Sequence, residues 1–177
     1  MIAEYKKQKA QKAGLIDGKP ASQVFQERLT KAREAFQVKN YLEAKGMFES
    51  AAAIQQLSAE DQASYQAATQ QAAKLDAAQV LFKEGKYVDA VSDLQQLLAQ
   101  DPDSMSIKIL MSNAYFNLGR QSLESDQLPQ AAEYFGKVLE YNPQDEMATR
   151  SRDFAMRYDN APRDLAYRIY VKYLPLR

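Results

Sequence analysis

The sequence predicts an all-α fold, a helix-turn-helix repeat array, and three observations predict it. Apolar residues recur three and four apart over most of the length; Asn40 and Gly85 interrupt that pattern; Asp101-Pro102 and Asn142-Pro143 stop it in the same way. The clearest example is Leu81 to Pro102, a helix end, a turn at Gly85, and a second helix whose stripe restarts through Ala90 and Leu94. One such hairpin cannot bury its own apolar face, so the pattern requires neighbours of the same kind.

In chain order, Met1 to Ala13 is Lys- and Gln-rich and reads as a short helix or basic tether. Gly14 to Pro20, GLIDGKP, breaks it, and the tether is drawn over residues 1–20. A helix is expected from about Ala21 to Val38, carrying Val24, Phe25, Leu29, Ala32, Ala35 and Phe36. Asn40 marks a turn, and Tyr41 opens a helix with Ala44, Phe48, Ala51 and Ala52 on one side. Ser58 and Asp61 resemble a capping box, after which helix formers run unbroken to Lys83. Past Pro102, Asp103 or Ser104 can cap a second long helix to about Ser125. Leu128 to Tyr141 follows, then Gln144 to Tyr158, then a turn with Pro162 near the first position of a last helix ending about Tyr173.

Four second helices carry a small residue four before a large one: Ala44 and Phe48, Ala90 and Leu94, Ala131 and Phe135, Ala166 and Tyr170. The small residue lets two helices approach, and the large one fills the space one turn on. The units are drawn at about 21–57, 58–102, 103–143 and 144–174 of a single domain, 21–177.

Composition narrows the function classes. With 177 residues the chain suits one ordinary domain. Lys plus Arg equals Asp plus Glu at 23 each, so no overall field draws nucleic acid or an anionic membrane. The charges are uneven, with both ends basic and residues 49–103 carrying nine acids against three lysines. Cys and His are absent, which excludes thiol nucleophiles, thiolate or imidazole zinc sites and the usual general base. No catalytic carboxylate pair is inferable, so no enzyme, cofactor or metal is expected. Gly14 to Pro20 has three residues between its glycines and Pro20 where a phosphate loop needs a hydroxyl, so it is not read as one. Lys6, Lys7, Lys9 and Lys12 lack an apolar face and read as a solvated tether. No apolar run approaches the roughly 20 residues of a membrane span. A soluble protein is expected, with the cytoplasm the leading compartment and a periplasmic or lipid-anchored setting if a leader precedes Met1.

With these residues in view, the chain resembles the tetratricopeptide repeat family, whose unit is about 34 residues of helix-turn-helix. Tyr41-Leu-Glu-Ala44 and Tyr87-Val-Asp-Ala90 fit its aromatic-x-x-Ala opening of the second helix. Tyr115, Leu118-Gly119, Ala131, Phe135 and Pro143 fall where that family places its aromatic, Leu-Gly pair, alanine, second aromatic and proline. The resemblance covers residues 24–143. The departures are Gln56 in place of a closing proline, Asp126 in place of the turn glycine, and a degenerate fourth unit. The alanine spacings of 46, 41 and 35 imply over-long first helices in units two and three.

The resemblance implies a right-handed solenoid whose first helices line a concave groove for a peptide or helix of another protein. The family's groove positions fall on Leu29, Arg33, Phe36 and Gln37; on Leu75, Gln79, Phe82 and Lys83; and on Asn113, Phe116, Arg120 and Leu123. The opposing reading is that these residues are core, or are covered by another part of the chain. A chaperone-tail clamp is not expected, because Leu29 and Arg33 stand where that clamp needs Lys and Asn. Tyr167 and Tyr170 add an aromatic-basic face on the last helix, which either seals the array or docks a partner. The expected function is a protein-binding adaptor or assembly factor. The alternative is a self-associating module joining basic ends to an acidic middle as a homo-oligomer.

Overall fold

The computed structural model describes residues 14–177. The tether or helix expected over Met1 to Ala13, with its four lysines, lies outside the described residues. Nine helices fill most of the rest: α1 Ala21–Gln37, α2 Tyr41–Ala52, α3 Ala59–Ala73, α4 Asp76–Lys83, α5 Tyr87–Gln100, α6 Met105–Glu124, α7 Leu128–Tyr141, α8 Glu146–Tyr158 and α9 Leu165–Tyr173. The described chain falls into two compact units. The first runs to Lys74 and includes Asp103–Ser106; the second is Leu75–Pro102 with Ile107–Arg177.

The first unit begins with an unexpected feature. Gly14 to Pro20 is not merely a breaker but a small antiparallel pair, β1 Leu15–Ile16 and β2 Lys19–Pro20. Asp17 and Gly18 both take positive φ, 50° and 81°, which is the two-residue Asp-Gly hairpin turn. The pair packs on α1. Helices α1, α2 and α3 then enclose a core of Phe25, Leu29, Ala32, Ala35, Ala44, Phe48, Ala51, Leu57 and Ala68. Ser58 caps α3 as expected, its Oγ accepting from the Asp61 N–H at 3.2 Å. A further cap comes from far along the chain: the Ser106 hydroxyl accepts from the Leu42 N–H at 3.0 Å, serving the first turn of α2.

The helix expected without a break to Lys83 is two helices, and the break at Lys74-Leu75 is where the two compact units divide. No glycine or proline marks it. Lys74 already bonds to a carbonyl three residues back, and Asp76 supplies an acid to the first turn of α4, where the helix dipole favours one. The over-long first helix of the second repeat is therefore an extra helix, α3, followed by a short one.

In the second unit α4 pairs with α5 and α7 with α8. Helix α6 meets α7 through Phe116 and Phe135, ring centroids 5.3 Å apart and edge-on. Gly119 makes that crossing possible, because a Cβ there would stand 2.8 Å from Phe135 Cε1. The small-large pairs are buried at Ala44 and Phe48, Ala90 and Leu94, and Ala131 and Phe135. The fourth is not a packing pair: Ala166 is exposed on α9. Pro162 also lies in the turn rather than at the helix start, since Asp164 caps α9 and accepts from the Tyr167 N–H at 2.9 Å.

Three helix ends share one geometry. Lys39, Gly85 and Asp126 each take positive φ, 56°, 74° and 57°. In each, the next residue's N–H reaches a carbonyl five back: Asn40 to Ala35, Lys86 to Leu81, Gln127 to Ser122. Asn40, read as the turn marker, is one position past the residue that makes the turn.

Candidate functional site

Helix α6 carries Asn113, Phe116, Asn117 and Arg120 along adjoining positions at spacings of three and four. Asn142-Pro143 ends α7, and the short loop after it delivers Asp145, which caps α8 by accepting from the Ala148 N–H at 2.9 Å. Leu174 is extended, φ −65° and ψ 117°, as the residue before Pro175 prefers, and residues 174–177 leave α9 without helix or strand.

That extended segment lies on α6. Arg120 Nε donates to the Leu174 carbonyl at 2.8 Å. The Asn117 amide pairs with both main-chain groups of Arg177: its Nδ2 donates to the carbonyl at 2.9 Å, and its Oδ1 accepts from the N–H at 2.9 Å. The Arg177 guanidinium sits over the Phe116 ring, Cζ 3.7 Å from the centroid, and forks onto Asp145 at 2.5 and 2.7 Å. Asn117 is fully buried and Asp145 is 8% exposed. The Arg177 hydrogen bonds, more than any other influence, hold the Asp145 carboxyl below its ordinary pKa, against the upward pull of burial.

Helix α9 is anchored by the residue that replaces the turn glycine. Asp126 Oδ1 accepts from Arg163 Nε at 2.6 Å and from the Tyr167 hydroxyl at 3.0 Å; Arg163 also donates to the Tyr158 and Ala161 carbonyls. Arg163 first, then Tyr167, lowers the Asp126 pKa. Phe154 stacks on Tyr170 at 4.0 Å and on Tyr167 at 5.6 Å, and Ser151 shares a hydrogen bond with the Tyr170 hydroxyl at 2.8 Å. Tyr167 and Tyr170 of α9, with Leu174 just past its end, turn inward, whereas Leu165, Ile169 and Tyr173 are 71%, 49% and 70% exposed.

The other residues named from the sequence stand as follows. Phe116 is buried, and Asn113 and Arg120 are half-buried. Leu29 lies in the first unit's core and, with the exposed Arg33, lines an open concavity of about 670 Å³ that also includes Phe25, Leu57 and Asp61. Arg33 is already paired: Nε and Nη2 reach the buried Asp61 at 2.7 and 2.8 Å, and this pairing is the leading cause of the lowered Asp61 pKa. Phe36 is half-buried, edge-on to Tyr41 at 5.9 Å; Phe82 stands likewise to Tyr87 at 5.2 Å. Leu75 is buried, Gln79 half-buried and Lys83 exposed. Gln37 is exposed and Leu123 buried. Sequence reading did not single out Asn117, Asp145 or Arg177. Arg177 ends a stretch rich in Arg, Lys and Tyr that starts at Arg163, whereas Asn117 and Asp145 carry no such signal.

Among the described residues no acidic cluster could hold a metal ion, and no helix is long and apolar enough to cross a membrane. Residues 81–121 match the family model described as tetratricopeptide repeat, spanning the end of α4, all of α5 and most of α6. The match agrees with the resemblance read from the residues and with the all-helical repeat architecture. Repeats of this family generally mediate protein–protein interaction and are typically non-catalytic. No curated protein matches the chain, and no solved structure matches it.

Proposed function

We propose that this chain, which carries a tetratricopeptide repeat at residues 81–121, is a non-catalytic adaptor or assembly module that binds an extended segment of a partner protein on α6. One observation carries the reading. The face that includes two positions expected to line a groove, Phe116 and Arg120, already holds a non-helical segment, residues 174–177, largely through main-chain groups. Main-chain recognition by fixed side-chain amides and guanidinium groups suits a peptide, because it needs only an extended backbone and one or two anchoring side chains.

The open concavity at Leu29 and Arg33 belongs to the same reading as a second docking surface in the first unit. So do Phe36, three residues past Arg33 on α1, and Leu75, Gln79, Phe82 and Lys83 at and along α4 in the second unit. Because Arg33 holds Asp61, its charge is partly committed before a partner arrives. Tyr167 and Tyr170 act here as the seal beneath the segment's origin.

The test is selection of random displayed peptides against the whole chain, followed by substitution on α6. The reading expects selected peptides whose binding falls at least about tenfold with Asn117→Leu or Arg120→Glu, the loss of one or two hydrogen bonds to charged or buried groups. Peptides that bind both variants as tightly as the native chain, with the fold intact by circular dichroism, would refute it.

A further inference from the structure

We propose that the slot between Phe116 and Asp145 is an arginine-recognition site, that it takes an arginine on an extended segment of a partner protein, and that Arg177 is its resident stand-in. The proposal rests on the peptide-binding reading of α6 and adds the side-chain chemistry of the ligand.

Three features of the slot select arginine. Its floor is an aromatic face 3.7 Å from the guanidinium carbon, a stacking contact that a planar guanidinium makes over its whole area and a lysine ammonium makes at a point. Its wall is a carboxylate met by two guanidinium nitrogens, the fork geometry that carboxylates and arginines share. Its rim is Asn117, whose two amide atoms fix the main chain of the same residue, so the strand's position is set where its side chain enters. Floor and wall are each also held by a neighbour other than Arg177, Asp145 by the Ala148 N–H at the start of α8 and Phe116 by Phe135.

The resident segment is suited to exchange. It has no helix or strand pairing of its own, and Pro175 and Leu176 are exposed. Leu174 and Arg177 make its hydrogen bonds to Asn117, Arg120 and Asp145. Lifting it requires only local opening, with α9 still held by Asp126 and the Phe154 stack. What it uncovers cannot stay bare. Every buried side-chain polar atom among the described residues has a partner, and removing Arg177 orphans the fully buried Asn117 amide and the Asp145 carboxylate. An incoming arginine-bearing strand restores those bonds; an uncharged one does not.

The experiment compares the full native chain with full-chain Arg177→Ala, titrated with the end-blocked tetrapeptide Leu-Pro-Leu-Arg and with the same peptide carrying citrulline for arginine. Citrulline keeps the shape and removes the charge. The proposal expects Arg177→Ala to bind the arginine peptide at least about tenfold more tightly than the native chain, and to lose that gain with citrulline or with added Asp145→Asn. Equal binding of the arginine peptide by both chains overturns the exchange. Binding of the citrulline peptide as tight as the arginine peptide overturns the arginine code and leaves α6 a peptide-binding face; no binding of any peptide to either chain removes both readings. A native dimer that Arg177→Ala abolishes would assign the slot to a second copy and overturn the partner assignment. Should Arg177→Ala unfold, the native chain still decides: at saturating arginine peptide, but not citrulline peptide, the main-chain amide resonances of the resident Leu176 and Arg177 must move as that segment is displaced from Asn117, and unmoved resonances overturn the proposal.

Discussion

Alanine at Gly119 would put a methyl carbon 2.8, 2.9 and 3.0 Å from three atoms of the Phe135 ring. That ring is fully buried and meets Phe116 edge-on, so it cannot swing away as the end of a flexible side chain would. Overpacking of this kind costs about 1–3 kcal/mol, and the better helix propensity of alanine returns up to about 1 kcal/mol. The net expectation is a loss of about 1–2 kcal/mol, or roughly 2–8 °C in Tm for a chain of this size. Gly136 is the control. It lies inside α7, a Cβ there meets nothing within 4 Å, and Gly136→Ala should stabilise by up to about 1 kcal/mol through propensity alone. Urea unfolding of the two variants beside the native chain measures the difference. Opposite signs support the close α6–α7 crossing; Gly119→Ala as stable as Gly136→Ala would refute it.

Asp126→Gly tests whether the missing turn glycine was exchanged for an anchor. Glycine suits the φ of 57°, yet the variant should melt lower and be cleaved sooner within residues 159–177, because Arg163 and Tyr167 lose their shared acceptor; a higher melting temperature would contradict this. Acid should destabilise both compact units. Asp61 and Asp145 have folded pKa values below the unfolded one, near 3.9, so their contribution is complete above that pH and is lost as pH falls through the lower folded values. The urea midpoint should therefore drop below about pH 4, and Asp145→Asn should show a shallower drop; a midpoint flat between about pH 5 and 2 would be the contrary result.

The local parts of the fold were legible because their causes are local. Ala44 with Phe48, Gly85 and Asn142-Pro143 act within one or two turns, and the structure uses them as packing pair, left-handed turn and stop. Lys39 was hidden because a lysine rarely takes positive φ, and Asp126 because its carboxylate is used by Arg163, 37 residues later. The Lys74-Leu75 break carries no breaker residue, so helix propensity ran straight across it. On α6, the family's spacing pointed to Phe116 and Arg120, but their companions could not be read from periodicity. Arg177 meets Asn117 across 60 residues and Asp145 across 32, pairings that exist only after the helices between have folded. The two tyrosines of α9 illustrate the same limit. Their spacing allowed a seal or a docking face, and the stacking on Phe154 turns them inward.

An arginine offered to the chain when Arg177 does not occupy its place should enter the slot between Phe116 and Asp145. A crystal structure of the Arg177→Ala chain with the blocked Leu-Pro-Leu-Arg peptide should show the peptide's guanidinium between Phe116 and Asp145 and its main chain on Asn117. A peptide bound elsewhere with that slot unfilled would contradict the account.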